Sequence, residues 1–445
     1  ILFFSFGHIY NIIHGLSLGD FEIGRYRYLV IPYIVVFFFG TYYLLKSRKK
    51  LENITKIGNV ITITLLLFVV GNSLTGSINE SVIDVDNTLE KIRLFDDSEL
   101  SSFHEINEKQ PNVYFIILDE YSSFYGLQEF FNYDNTNFKK FLNDKEFFIF
   151  DDSFANYPTT KSSLGATLNM KYLDELSDTV GIESKNEQIL DEIVSNNFVM
   201  HNFKINGYEV VNFGSLWGPH NEFSSVEKNF CENKNFNRDS LTRELIQTSI
   251  IFYFFERYVE QERREVILCT FNEMSDIKSE KPIFAFIHIL LPHTPFIFGP
   301  NGENITPGNI ADSNNFQPRK AYVDQVIFAN KKIKESINSI LEKDNENSII
   351  ILQSDTGSGF NINWKNPSEK MIIERLSNLN AIYLPDKDYQ KFEGKITPIN
   401  TFPIIFNLIF EENYEILEDK MYWSSNDQPY YFKDVTNVLV NNKHG

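Results

Sequence analysis

"SIIILQSDTGSG", residues 348–359, decides the fold. A serine and four aliphatic residues run without a charge into Gln353, Ser354 and Asp355, and glycines follow at 357 and 359. A run that is apolar on both faces suits a strand buried in a parallel sheet, where no alternation is needed. An acid at the carboxyl end of such a strand stands on the rim where open α/β sheets bind their ligands. The weight of Asp355 therefore depends on what other strands deliver to the same rim.

"VYFIIL" (113–118), "EVVNF" (209–213) and "IFAFIHI" (283–289) share this character, and "FFIF" (147–150) is a further candidate. Between the last two long runs, "YVDQVIFANKKIKESINSILEK" (322–343) places apolar residues at helical spacing with its charges on the other face. Strands alternating with helices predict an α/β fold with a mostly parallel sheet flanked by helices. The residues that follow each strand are informative. Asp119-Glu120 follows the first, and "DDSFANYPTTKSSLGATLNM" (151–170) follows "FFIF". "LLPHTPF" (290–296) sets His293 between two prolines, and Asp355 closes the series. Two acids, a histidine and a hydroxyl-rich turn reach one rim.

The 445 residues carry 41 basic and 60 acidic side chains, a formal charge of −19. That balance excludes a general nucleic-acid binder, whose footprint is basic. It also means that a site handling phosphate needs local compensation from a metal or basic side chains. Cys231 and Cys269 are the only cysteines; one disulfide and two separate buried thiols are both open readings.

"YLVIPYIVVFFFGTYYLL" (28–45) and "IGNVITITLLLFVVGNSLTG" (57–76) are free of charge and near the length of a spanning helix. The chain opens on "ILFFSF" without a methionine, which suggests an earlier span that has been truncated. "KSRKKLENITK" (46–56) between the spans is basic, which marks the cytoplasmic side and sends the rest outward. The expected organisation is a transmembrane region over 1–76, a juxtamembrane linker over 77–110 and an extracytoplasmic domain over 111–445. The location is thus a multi-pass protein of the cell membrane, with the bilayer as a partner.

"PNVYFIILDEY", "NYPTTKSSLGATLN", "FIHILLPHTPFIFGPNG", "AYVDQVIFANKKI" and "IIILQSDTGSG" occur in an order and spacing similar to the membrane-anchored sulfatase-like family. That family belongs to the alkaline phosphatase superfamily and includes lipoteichoic acid synthases and phosphoethanolamine transferases. The resemblance covers 111–445. It implies that Asp119 and Asp355 are metal ligands and that the threonine pair supplies the nucleophile, Thr160 before Thr159. It implies one divalent metal ion, whether manganese, magnesium, zinc or calcium, with Thr160 beside it. It implies that His293 meets the substrate. Where the family carries a second metal ligand after the closing aspartate, usually histidine, this chain has Thr356. No cysteine- or serine-based sulfatase turn is present; the equivalent stretch is "TTKSS". This favours phosphoryl transfer or phosphodiester cleavage on lipid- or glycan-linked phosphate over sulfate-ester hydrolysis.

The chemistry is coherent with those roles. A threonine hydroxyl needs a metal or a base to attack. Two facing carboxylates need a cation between them. Lys161 is expected to lend positive charge, and Trp217 and His220 in "LWGPHNEF" (216–223) are expected substrate contacts. Glu120 reads as a supporting or solvent-facing acid. Thr356 leaves three outcomes: a harder metal, a histidine from elsewhere such as His220, or a site that binds without turning over. Each residue also has a plainer reading. A threonine pair before a helix is what capping selects, and a histidine between prolines also braces a turn.

Overall fold

The structure, a computed structural model, describes residues 17–18, 21–22, 26–46, 56, 58–60, 63, 110–216, 223, 226–232, 252–305, 318–360, 362–394 and 397–440. They fall in two compact units, Ile1–Ile83 with Lys234–Glu262, and Asp84–Asn233 with Arg263–Gly445. The first contains a small hairpin, β1 (Ser17–Leu18) with β2 (Phe21–Glu22), and helix α1 (Tyr26–Lys46). Helix α1 covers the first expected span, and Ile31, Phe38 and Phe39 on it are exposed. No helix among the described residues is long and apolar enough to cross a membrane. The second expected span, the basic loop and the linker lie almost entirely outside the described residues.

The second unit is built on a seven-stranded sheet. Its strands are β3 (Asn112–Leu118), β4 (Phe148–Ile149), β5 (Glu209–Phe213), β6 (Lys228–Phe230), β7 (Ile283–Ile289), β8 (Ser348–Gln353) and β9 (Asn380–Tyr383), in spatial order β4-β9-β8-β3-β7-β5-β6. The pairs β3–β7, β3–β8, β5–β7 and β5–β6 are parallel. Only β9 is reversed, antiparallel to both β8 and β4. The "FFIF" candidate shortens to the two residues of β4, an edge strand tied to β9.

The apolar runs follow from burial on both faces. Along β3, Tyr114, Ile116 and Leu118 enter one core with Ala285, Ile287, Ile350 and Leu352. Val113, Phe115 and Ile117 enter the other with Phe284, Phe286, Ile349 and Ile351. A strand that must satisfy two cores has no polar face to alternate with. Helix α2 (Thr160–Asn169) packs Leu164 and Leu168 into the second of these cores. Helix α3 (Phe252–Glu273) belongs to this unit from Arg263 onward. Helix α4 (Pro318–Lys343) starts four residues before the expected one and ends with it. Helix α5 (Glu369–Leu376) precedes β9, and a hairpin of β10 (Tyr422–Ser425) and β11 (Gln428–Asp434) stands apart from the main sheet. Cys231 and Cys269 form a disulfide, so of the two open readings the bonded one holds.

Candidate active site

The parallel register fixes which residues meet. In β3, Ile117 lies beside His288 of β7 and Gln353 of β8, so Asp119 emerges between the ends of both neighbours. Its amide donates to the Ile289 carbonyl at 3.0 Å. Asp355 is the second residue beyond the end of β8. Glu120 adopts φ 60°, a left-handed conformation that side-chain-bearing residues seldom take. That twist aims its amide at Asp355 Oδ1, 3.0 Å away. Gly357 is required by close approach: a Cβ there would sit 2.4 Å from the carbonyl oxygens of Glu374 and Ser377. The first glycine of "TGSG" thus lets the Asp355 loop lie flat on the end of α5.

Asp355 also receives the nucleophile turn. The Thr160 hydroxyl donates to Asp355 Oδ2 at 2.6 Å, and Ser163 Oγ donates to the Asp355 carbonyl at 2.7 Å. Thr159 occupies the cap position of α2, and its hydroxyl goes to Ser162 Oγ instead, without a capping bond. Of the two threonines, Thr160 is the one that faces the acids.

Asp119, His288 and Asp355 each turn a ligand atom toward a common point, all within 4.8 Å of one another and all buried. His288 Nε2 lies 3.7 Å from Asp119 Oδ2. Asp119 Oδ1 is buried without a hydrogen-bond partner, and so is the hydroxyl of Thr356, which is 0% exposed. Buried orphan oxygens are rare and costly unless something binds them. Burial, together with the charges of Asp355 and Glu120, pushes the Asp119 carboxyl well above its ordinary range, against the pull of Arg263 and Arg375. Burial raises Asp355 as well, opposed by the Thr160 hydroxyl and Arg375. Burial drives His288 down to about 3, which keeps its imidazole neutral and able to ligate. A divalent cation fits this set: it would offset two repelling carboxylates and satisfy the orphan Asp119 oxygen.

Around this group runs a charged shell. Burial alone would raise Glu120; Arg375, with His293, overrides it and holds the carboxyl below its ordinary range. Glu120 pairs with Arg375 and lies 3.9 Å from His293 Nε2. It supports the site and is not among the three converging groups. The His293 amide donates to the Asp119 carbonyl at 3.2 Å, and its ring is 37% exposed. Burial lowers the His293 pKa, Glu120 opposes this and Arg263 adds to it. Arg263 of α3 donates to the Leu290 and His293 carbonyls, bracing that loop. A cavity of about 420 Å³ opens over the turn, lined among others by Thr160, His293, Trp364 and Arg375.

The structure thus brings Asp119, Thr160, His293 and Asp355 together, with Thr356 buried beside them. Lys161 follows Thr160 in the first turn of α2. That side chain lines the cavity, but its ammonium is held by Glu187 and Asp191, each at 2.7 Å, so its charge is spent locally. Trp217 and His220 lie outside the described residues. Sequence reasoning missed His288, hidden within an apolar strand, and Arg375, on a helix with no motif of its own.

No family model matches the chain, and no curated protein does. Solved structures do. The chain is similar to the C-terminal periplasmic domain of EcEptC from Escherichia coli in complex with Zn, at 12% identity over 75% of this chain and 95% of that one, TM-score 0.47. It is similar to the C-terminal periplasmic domain of phosphoethanolamine transferase EptC from Campylobacter jejuni, at 11% over 69% and 90%, TM-score 0.42. It is similar to the integral membrane protein lipooligosaccharide phosphoethanolamine transferase A from Neisseria meningitidis, at 12% over 93% and 81%, TM-score 0.44. At these identities and scores the likeness says nothing of what this chain binds or transfers. That chemistry has to come from its own atoms.

Proposed function

We propose that this chain is a metal-dependent phosphotransferase or phosphodiesterase that acts on lipid- or glycan-linked phosphate esters through Thr160. One observation carries the reading: the Thr160 hydroxyl donates to Asp355 at 2.6 Å at the edge of a buried Asp119–His288–Asp355 cluster. Asp119, His288 and Asp355 would hold the cation, with the hydroxyls of Thr160 and Thr356 as further oxygen donors. An oxygen-rich set with one imidazole suits manganese or magnesium. Such an ion, when bound, polarises a phosphoryl oxygen and makes a neighbouring hydroxyl more acidic.

The chain's own residues do the rest. Asp355 orients the Thr160 oxygen and accepts its proton as that oxygen bonds to phosphorus. The P–O bond to the substrate's alcohol breaks, that oxygen takes up the proton held by Asp355, and the phosphoryl group stays on Thr160 with any second ester it carried. An acceptor alcohol or water then attacks that phosphorus and frees the threonine. His293 at the cavity mouth is placed to meet a substrate oxygen. The loss of histidine at position 356 does not leave the cluster without an imidazole, because His288 supplies one. That placement favours an active site over a purely binding domain.

The setting proposed is the outer face of a membrane. The uncharged stretches 28–45 and 57–76 and the basic residues between them support anchoring, with 77–110 as a linker and 111–445 as the catalytic domain. The Cys231–Cys269 disulfide suits an oxidising compartment. The test is to incubate the full chain with manganese or magnesium and a glycerophospholipid, then weigh the peptide 155–171. A Thr160 adduct with the mass of the lipid's phosphoryl group plus its remaining ester is the expected result. Its absence with every divalent ion would leave the alternative, a membrane-tethered binder of anionic headgroups or glycans.

A further inference from the structure

In a chain of charge −19, anion binding beside Thr160 requires a local cation, and Lys161 is already engaged. Besides His293, whose pKa burial lowers, the described lining of the cavity over Thr160 has one other basic side chain, Arg375, itself only 6% exposed. Its Nε donates to the Pro158 carbonyl at 2.7 Å, in the nucleophile turn. Its Nη1 donates to the Gly357 carbonyl at 3.0 Å, in the Asp355 loop, and to Glu120. Trp364 flanks the guanidinium, its ring centroid 5.7 Å away. Three of the five N–H groups are therefore committed, one to each of the three loops that build the site. Both hydrogens of Nη2 remain. This nitrogen makes no hydrogen bond among the described residues, yet it is not sealed in the interior, and the cavity is what Arg375 lines.

We propose that Arg375 Nη2 binds a non-bridging oxygen of the phosphoryl group that Thr160 receives. The inference rests on the phosphoryl-transfer reading and deepens it, by naming the residue that selects an anionic ester over a neutral one. A guanidinium held at Nε and Nη1 by two carbonyls and a carboxylate presents Nη2 without further loss of freedom, which suits an arginine more than a lysine. Glu120 has a second consequence here. It holds Nη1 and also competes with an incoming anion for the same charge.

The test is calorimetric titration of the full chain, in excess magnesium, with inorganic phosphate. Arg375→Lys is expected to weaken phosphate binding by about ten-fold or more, the usual loss for a charge-assisted contact. Glu120→Gln is expected to tighten it several-fold, and that gain should vanish in the double variant Glu120→Gln/Arg375→Lys. Phosphate binding by Arg375→Lys at the wild-type level would overturn the proposal. So would a Glu120→Gln gain that survives without Arg375, or a wild-type chain that takes up no phosphate. If Arg375→Lys does not fold, Glu120→Gln alone decides, since unchanged or weaker binding contradicts the competition. The two readings fail separately: a Thr160 adduct with phosphate binding indifferent to Arg375 sinks this inference alone. Arg375-dependent binding without any adduct sinks the transfer reading alone.

Discussion

Thr160 and Asp355, 195 positions apart in sequence, share a hydrogen bond of 2.6 Å in which the threonine is the donor. Thr159, its neighbour, turns its hydroxyl to Ser162 instead. The two threonines are therefore separable by experiment. Thr160→Ala is expected to lower turnover by about 1,000-fold or more, the scale of losing a nucleophile. Thr159→Ala, which removes no capping bond, should cost about 0.5 kcal/mol of stability and leave most activity. Steady-state kinetics and thermal melts on both variants decide between them.

Asp119 is buried beside a second carboxylate with one oxygen unsatisfied. That arrangement favours ion binding over stability. Asp119→Asn is expected to raise the melting temperature of the chelator-treated protein and to abolish the further rise that manganese gives the wild type. A variant that melts lower in chelator and still responds to manganese would place the ion elsewhere.

The response to metal should depend on pH, with a definite sign. The Asp119 carboxyl is raised well above its ordinary range, first by burial and then by Asp355 and Glu120. An acid raised in the fold favours the metal-free fold while it is protonated, and that advantage is lost as pH rises through its folded value. Ligation needs the carboxylate, so binding expels the proton. The manganese-induced rise in melting temperature is therefore expected to grow from about pH 5 to about pH 8. Histidine protonation does not imitate this trend. Burial lowers His288 to about 3, so in the fold it is already neutral over the whole window and gives up no proton when it ligates. A metal response that is flat over the window argues against carboxylate ligation.

His288 and Thr356 make opposite claims on the missing imidazole. If His288 supplies it, His288→Ala weakens manganese binding by about ten-fold or more, while Thr356→His brings no gain in turnover. Thr356 is fully buried, and a larger ring there must displace neighbours. Restoration of activity by Thr356→His in an otherwise inert chain would instead identify a degenerate site.

Much of this was legible in the sequence, for physical reasons. Strands buried on both faces show as uninterrupted apolar runs, and parallel strands place their carboxyl ends on one rim. Asp119, Thr160, His293 and Asp355 could thus be expected together before any coordinates. What stayed hidden depended on register and pairing. His288 sits inside "IFAFIHI", where a lone histidine reads as core; only its position beside Ile117 puts it on the face where α2 packs. Arg375 gains its meaning from two backbone carbonyls and the Glu120 carboxylate, all on other loops. Lys161 looked available because Glu187 and Asp191, 26 and 30 positions on, carry no mark of its company. The short "FFIF" strand and the reversed β9 reflect edge geometry, which composition does not encode.

The central claim is that one divalent ion joins two carboxylates from different strands and stands next to Thr160. Anomalous scattering from a crystal of the chain soaked in manganese tests it most directly. A single peak about 2 to 2.5 Å from oxygens of Asp119 and Asp355 and from His288 Nε2, with the Thr160 hydroxyl in reach, is the expected result. A map with no peak among those side chains, or with manganese bound only at the acidic surface, would contradict it.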